Sequence, residues 1–283
     1  MNTSLLSSIT ESLAPFSDTP ALDASVLMAH ILKKPRTWVM AHPDLTLTTE
    51  QQQQLDDSLA RLERGESFPY VLGHWEFFGL EFDLTPDVLI PRPETELLVE
   101  KAVVWLQQSS SRKVIADIGT GSGAIAVSVA VNTQNVQVLA TDISSKALDV
   151  ARRNARKFNV EKQVEFIHCD LLPEKSSLVR PETSFDLICA NLPYIPTDTL
   201  HHLPIFGREP TLALDGGSDG LDLYRRLFSL AAGWLTSNGK MLVEIEATQG
   251  TKILAMANET FPGAEIHLHT DLAGHDRLLE IAR

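Results

Sequence analysis

Between residues 4 and 64 apolar positions recur at helical spacing: Leu22, Val26, Leu27, His30 and Ile31 fall near i, i+4, i+5, i+8 and i+9, and Leu55, Leu59 and Leu62 are four and three apart. Pro15, Pro20, Pro35 and Pro43 interrupt the pattern. Proline is poorly tolerated inside a helix, so the segment reads as several short helices in a small bundle. From 65 to 89 the pattern changes to aromatic and β-branched residues (Tyr70, Val71, Trp75, Phe77, Phe78, Phe82) with Gly73 and Gly79 between them, which predicts a β-hairpin joining two domains. Pro91, Arg92 and Pro93 make a stiff extended segment. Glu94, Glu96 and Glu100 then gather where a helix N-terminus favours negative charge.

Past Arg112 the chain alternates between short apolar runs and amphipathic stretches. The strand-like runs are 114–118, 136–143, 164–169, 185–190, 241–245, 266–269 and 278–281, and helical stretches such as 146–158 and 221–235 separate most of them. This alternation predicts a doubly wound, mostly parallel α/β sheet with helices on both faces and a last strand free to run antiparallel. The expected organisation is a small all-α N-terminal domain over residues 1–66, a β-hairpin linker over 67–92 and a larger α/β domain over 93–283.

With 283 residues and 43% hydrophobic content, the chain can bury one large core and a small companion core. The net charge of −13 repels a phosphate backbone, so no direct nucleic-acid binding is expected and a protein or small-molecule substrate is favoured. The N-terminus lacks the basic start and apolar run of a signal peptide. No later stretch approaches the roughly 18 uninterrupted apolar residues of a membrane span, so a cytoplasmic protein without membrane contact is expected. Cys169 and Cys189 lack the paired spacing of zinc or redox sites and read as small buried side chains.

The run 114–118 ends in Asp117 and leads through Gly119, Thr120, Gly121, Ser122 and Gly123 into a helical stretch. Glycines at the first βα turn permit positive φ and let the backbone approach a ligand, and Asp142, ending the next strand, lies where a carboxylate accepts hydrogen bonds from ribose hydroxyls. An ordinary glycine-rich turn is the bland alternative; strand, helix and acid together favour a nucleotide-like site. The GxGxG form resembles the S-adenosylmethionine site of class I methyltransferases more than the turn of dehydrogenases. Asp170 and Leu171 sit where that family frames the adenine, and otherwise read as a polar strand end and a core leucine.

The run 185–190 leads directly into Asn191, Leu192, Pro193 and Tyr194, on the sheet edge that carries the glycine turn. An amide nitrogen is a poor nucleophile, because its lone pair is delocalised into the carbonyl. Two acceptors aimed at its N–H groups, the Asn191 side-chain oxygen and the Leu192 carbonyl, could orient it for in-line attack on a methyl group. No side-chain base is then required. Pro193 stiffens the turn and Tyr194 offers a flat wall for a planar substrate.

Over nearly its full length the chain resembles the HemK/PrmC protein-glutamine N5-methyltransferases. The resemblance rests on Ile90-Pro91-Arg92-Pro93-Glu94-Thr95-Glu96, the glycine turn, Asp142 and Asn191 to Tyr194. It continues through Arg208-Glu209-Pro210 with Leu212-Ala213-Leu214, Gly216-Gly217, Asp219-Gly220-Leu221 and Asp271-Leu272-Ala273-Gly274-His275-Asp276-Arg277. It implies S-adenosylmethionine contacts at Gly119 to Gly123, Asp142, Leu171 and Asn191, and a clamp at Asn191 to Tyr194 for the glutamine of a Gly-Gly-Gln loop in peptide chain release factors. The N-terminal domain is then expected to recognise the protein partner, and the enzyme to act as a monomer. The family pattern is Asn-Pro-Pro-Tyr; here Leu192 replaces the first proline, which keeps the carbonyl and frees φ, so a looser clamp with activity retained is expected.

Arg92 reads either as a group steering the substrate loop or the cofactor carboxylate, or as an ion-pair partner of Glu94 or Glu96. Glu244 and Glu246 alternate on a strand and read as sheet-end carboxylates in solvent that could also help hold the pocket. His201, His202, His267 and His269 lack the further ligands of a metal site, and none is expected. Rival readings are a glutamine methyltransferase acting on a ribosomal protein, a DNA adenine N6-methyltransferase, and a cofactor-binding protein weakened in catalysis by the proline change.

Overall fold

Caps and prolines set the helices of the first part of the chain. The computed structural model describes residues 4–42, 44–174 and 184–283, and it forms two units, Met1–Gly73 and His74–Arg283. The first contains α1 (Leu5–Leu13), α2 (Pro20–Leu32), α3 (Arg36–Ala41), α4 (Thr49–Glu63) and α5 (Phe68–Leu72). The Ser4 hydroxyl accepts the Ser7 amide ahead of α1, and Thr48 and Gln51 form a reciprocal capping box ahead of α4. Pro20 stands in the first turn of α2, where a helix needs no N–H from it, so it opens that helix instead of separating two. Pro43 lies outside the described residues. Leu27, Met28 and Ile31 are buried as their spacing implies, whereas Leu22 falls outside the buried face of α2.

The expected hairpin is shorter than its aromatic pattern. Tyr70 and Val71 lie in α5, which has a proline in its first turn and ends at Gly73 in the left-handed region, so these residues are buried by a helical turn and not by strand pairing. Only β1 (His74–Phe77) and β2 (Leu80–Asp83) pair, and they turn through Phe78 and Gly79 at φ 53° and 72°. Two positive φ values suit a two-residue hairpin turn, though phenylalanine is unusual there; the Phe78 amide donates to the Glu96 carboxylate at 2.9 Å.

The remainder is α6 (Glu96–Gln107), β3 (Lys113–Ile118), α7 (Ala124–Asn132), β4 (Val136–Asp142), α8 (Ser145–Lys157), β5 (Val164–His168), β6 (Phe185–Ala190), α9 (Thr197–Leu200), α10 (Asp222–Ala231), β7 (Leu235–Glu244), α11 (Gly250–Thr260), β8 (Glu265–Thr270) and β9 (Asp276–Ala282). The sheet order is β5-β4-β3-β6-β7-β9-β8; β9 is antiparallel to both neighbours and the other pairs are parallel. The doubly wound α/β fold and its antiparallel last strand match the expectation. β7 starts well before residue 241, because its polar first half hides it from a reading based on apolar runs.

Leu98, Val99 and Ala102 of α6 pack on Leu187 and Leu242 on one sheet face, and Tyr224, Leu227 and Phe228 of α10 pack on Ile188 and Val243 on the other. The leucine, isoleucine, valine and phenylalanine side chains among them contribute roughly 1.5–3 kcal/mol each when fully buried. Cys189 belongs to this core. Cys169 does not: it follows β5 and is half-buried, and burial pushes its thiol up to about 11. Strand order reverses between β3 and β6, which opens a crevice at their carboxyl ends where ligands of doubly wound sheets bind.

Candidate active site

The carboxyl ends of β3, β4 and β6 border a cavity of about 760 Å³, within the usual size of small-molecule sites. The turn after β3 passes through Gly119, Gly121 and Gly123, all at positive φ. A Cβ at Gly119 would sit 3.1 Å from Leu192 Cδ2, whereas at Gly121 it would meet nothing within 4 Å, so the backbone there is open to a ligand. Asp142 accepts the Gly121 amide at 2.9 Å and the Ser144 amide at 2.8 Å. Burial holds its carboxyl above the ordinary range, against the pull of those two amides. Each oxygen retains a lone pair for a further donor.

Of the residues singled out in the sequence, Gly119, Gly121, Asp142 and Asp170 line the cavity, as do Leu171, Asn191, Leu192 and Pro193. Thr120, Ser122 and Gly123 stand behind this wall. The Thr120 hydroxyl donates to Asp117 at 2.6 Å, and the Ser122 carbonyl accepts Asn154 Nδ2 at 2.9 Å. Asn154, wholly buried on α8, also exchanges hydrogen bonds with the Asp83 backbone, which ties the hairpin to the glycine turn. Tyr194 packs against the core; burial pushes its phenol up to about 12, and its carbonyl accepts Gln249 Nε2 at 3.0 Å. Gly220 fits beneath it, since a Cβ there would lie 2.2 Å from the Tyr194 carbonyl oxygen.

Two expectations need correction. Arg92 pairs with neither Glu94 nor Glu96: its Nη2 donates to Glu209 at 2.5 Å, and Glu209, buried, also accepts the Ile90 amide at 3.1 Å. This carboxylate thus ties the segment before α6 to the loop carrying Pro210. Glu244 is not solvated; it is buried at the end of β7, and neither of its oxygens has a hydrogen-bond partner. Glu246 is nearer the expectation and caps the turn after β7 by accepting the Thr248 amide. His267 and His269 pair with Glu265 and Glu280, and the described residues contain no metal-holding cluster.

Three further residues shape the site; Thr95 and Glu209 stand in motifs that carry the family resemblance, but the sequence named no partner for them, and Tyr224 lies outside those motifs. Thr95 accepts Asn191 Nδ2 at 3.0 Å on its hydroxyl. The Tyr224 hydroxyl lies 3.0 Å from the Leu192 carbonyl and 2.8 Å from the Glu244 carbonyl, so its proton is shared between the ends of β6 and β7. Glu209 is the third. Each acts across a large sequence separation, so a motif can mark the residue without naming its partner.

Asp117 gives a pH-dependent prediction. Its Oδ2 accepts from Thr120 and from the Ala126 amide, its Oδ1 is buried without a partner, and burial pushes the carboxyl up from 3.8 to about 7. The folded state therefore keeps a proton that the unfolded chain has released. This stability is complete below 3.8 and is lost as pH rises through about 7. Urea unfolding should show stability falling over that window by on the order of 3 kcal/mol more in the parent than in Asp117→Asn. Parallel curves would mean that the folded carboxyl titrates normally.

The sequence profile of the PrmC N-terminal domain matches residues 4–73, and that of a methyltransferase domain matches residues 115–204. A release factor glutamine methyltransferase from Coxiella burnetii is 38% identical over 278 residues, 97% of this chain and 96% of the relative. The chain belongs to the release factor glutamine methyltransferase family. A second family member, from Moorella thermoacetica, is 40% identical over 92% of this chain and 90% of its own length. A solved methyltransferase from Pyrococcus furiosus superposes with a TM-score of 0.52 at 18% identity, covering 83% of this chain and 98% of that one, and so shares the fold. For this family of glutamine methyltransferases the cavity at the β3–β6 switch point is the candidate active site.

Proposed function

We propose that this chain transfers the methyl group of S-adenosylmethionine to the side-chain amide nitrogen, N5, of the glutamine in the Gly-Gly-Gln loop of peptide chain release factors. When bound, the cofactor supplies an electrophilic methyl carried on a sulfonium. The donor set suits it. The open backbone at Gly121, within the turn Gly119 to Gly123, accommodates its methionine portion; Asp142 offers acceptors for the ribose hydroxyls; Asp170 and Leu171 frame the adenine. Asp87, Asp142, Asp170, Asp215 and Asp222 line the cavity together with Arg226, and this excess of acid favours a cationic ligand over a phosphate backbone.

The observation that carries the reading is the state of Asn191. Its nitrogen is committed to Thr95 at 3.0 Å, so its oxygen is the remaining acceptor on a residue that lines the cavity beside the glycine turn. The Leu192 carbonyl, which takes the Tyr224 hydroxyl on one lone pair, has a second to offer. Two acceptors match the two N–H groups of a glutamine amide and favour the positive charge that develops on its nitrogen during attack. Pro193 limits the turn that carries them and Tyr194 braces it from behind. Arg92, through Glu209, ties the segment before α6 to the loop that brings Pro210 to the cavity.

In this reading the helical domain over residues 1–66 recognises the protein partner, the segment 67–92 links it to the catalytic domain 93–283, and the enzyme acts as a cytoplasmic monomer. No described helix is long and apolar enough to cross a membrane. Incubating the purified protein with S-adenosylmethionine and a release factor, then mapping peptides by mass spectrometry, should place one methyl on the Gly-Gly-Gln glutamine. Methyl on DNA, or on no macromolecule despite cofactor binding, would overturn the assignment.

A further inference from the structure

A buried carboxylate without a hydrogen-bond partner is retained in few folds without a purpose, and Glu244 is one, only 1% exposed at the edge of the site. β6 and β7 run parallel with Ala190 opposite Val243, the residues directly before Asn191 and Glu244. On the same sheet face, Thr95 at the start of α6 is buried, receives the Asn191 amide nitrogen at 3.0 Å, and lies near enough to Glu244 to favour its ionised form.

A threonine hydroxyl carries one proton. When it is given to the Glu244 carboxylate, Thr95 has only lone pairs left for Asn191; the Asn191 NH₂ must then face Thr95 and the oxygen must face away. When Glu244 is itself protonated, its O–H can donate to Thr95, which then donates to the Asn191 oxygen. The amide turns over and presents N–H groups to a substrate that also has only N–H groups to offer.

We propose that Glu244 is a positioning residue that fixes, through the single proton of Thr95, which end of the Asn191 amide faces the substrate. Its importance for catalysis rests on the methyl-transfer reading; the orientation of Asn191 does not. Burial pushes the Glu244 carboxyl up from 4.5 to about 7, opposed by the Thr95 hydroxyl and by Arg277 on β9. Arg92 and Glu94 face it from the segment before α6, Tyr194 from the turn after β6 and Tyr224 from α10. The arginines favour the carboxylate and Glu94 opposes it. Both phenols are raised and stay neutral, whereas the Glu244 carboxyl titrates near neutrality. A raised acid gains its charge as pH climbs through about 7, so the productive orientation is acquired on that rising limb.

The test uses full-length protein labelled with ¹⁵N-asparagine. The Asn191 side-chain NH₂ resonance, assigned by its loss in Asn191→Ala, should shift with a midpoint near 7, and the shift should vanish in Glu244→Gln. On the release factor, Glu244→Gln should lose the rising limb of the pH profile, and kcat should fall about 10- to 100-fold with cofactor affinity unchanged. Thr95→Val should show the same loss and Thr95→Ser should restore activity, which decides the matter if Glu244→Gln fails to fold. A flat Asn191 resonance in the parent, or a Glu244→Gln variant with parental kcat and pH profile, would overturn the proposal. A parent that methylates no glutamine would instead sink the functional reading, while the resonance still decides the relay.

Discussion

Asn191→Ala is expected to lower the rate constant of methyl transfer by about 10²- to 10³-fold while cofactor affinity stays near the parental value. The alanine removes the acceptor that Thr95 holds in place and leaves one substrate N–H without its partner. The Leu192 carbonyl survives because it belongs to the backbone, so a residual rate should remain. Single-turnover kinetics with labelled cofactor separates the chemical step from product release. A parental single-turnover rate would show that the amide is oriented by something other than this side chain.

Asp142→Ala should weaken S-adenosylmethionine binding by about 10²-fold, read by titration calorimetry. Hydrogen bonds to an ionised acceptor contribute about 1.5–3 kcal/mol each, and this carboxylate has two oxygens with capacity to spare for ribose hydroxyls. The same oxygens hold the Gly121 and Ser144 amides, so the substitution also releases the glycine turn. Asp142→Asn, which keeps one oxygen and sets an NH₂ against an amide donor, should fall between the two. Unchanged affinity would place the ribose elsewhere.

Much of this architecture could be read from local pattern. The parallel strands are short apolar runs separated by amphipathic helices, and the glycine turn announces itself by composition. What escaped is what depends on distance. Tyr70 and Val71 carry strand propensity, yet a proline and a glycine around them make a helical turn. Glu244 looks like any sheet-end acid until the fold buries it, and Arg92 has two glutamates close in sequence but pairs with Glu209, 117 residues away. Leu192 shows the same limit. Without proline the turn should be looser, but its side chain is buried and its carbonyl is held by Tyr224, two restraints that its neighbours in sequence do not reveal.

The contact between Leu192 and Gly119 couples two properties that evolution could otherwise vary separately. A methyl group added at 119 would press on the leucine at 3.1 Å, so the size of the residue in the cofactor turn constrains the size of the residue in the substrate turn. Position 192 can change while the glycine stays, whereas position 119 is held twice, by the leucine and by its own φ of 72°. A smaller residue at 192 therefore removes the steric part of the constraint on the cofactor turn and leaves the backbone part in place.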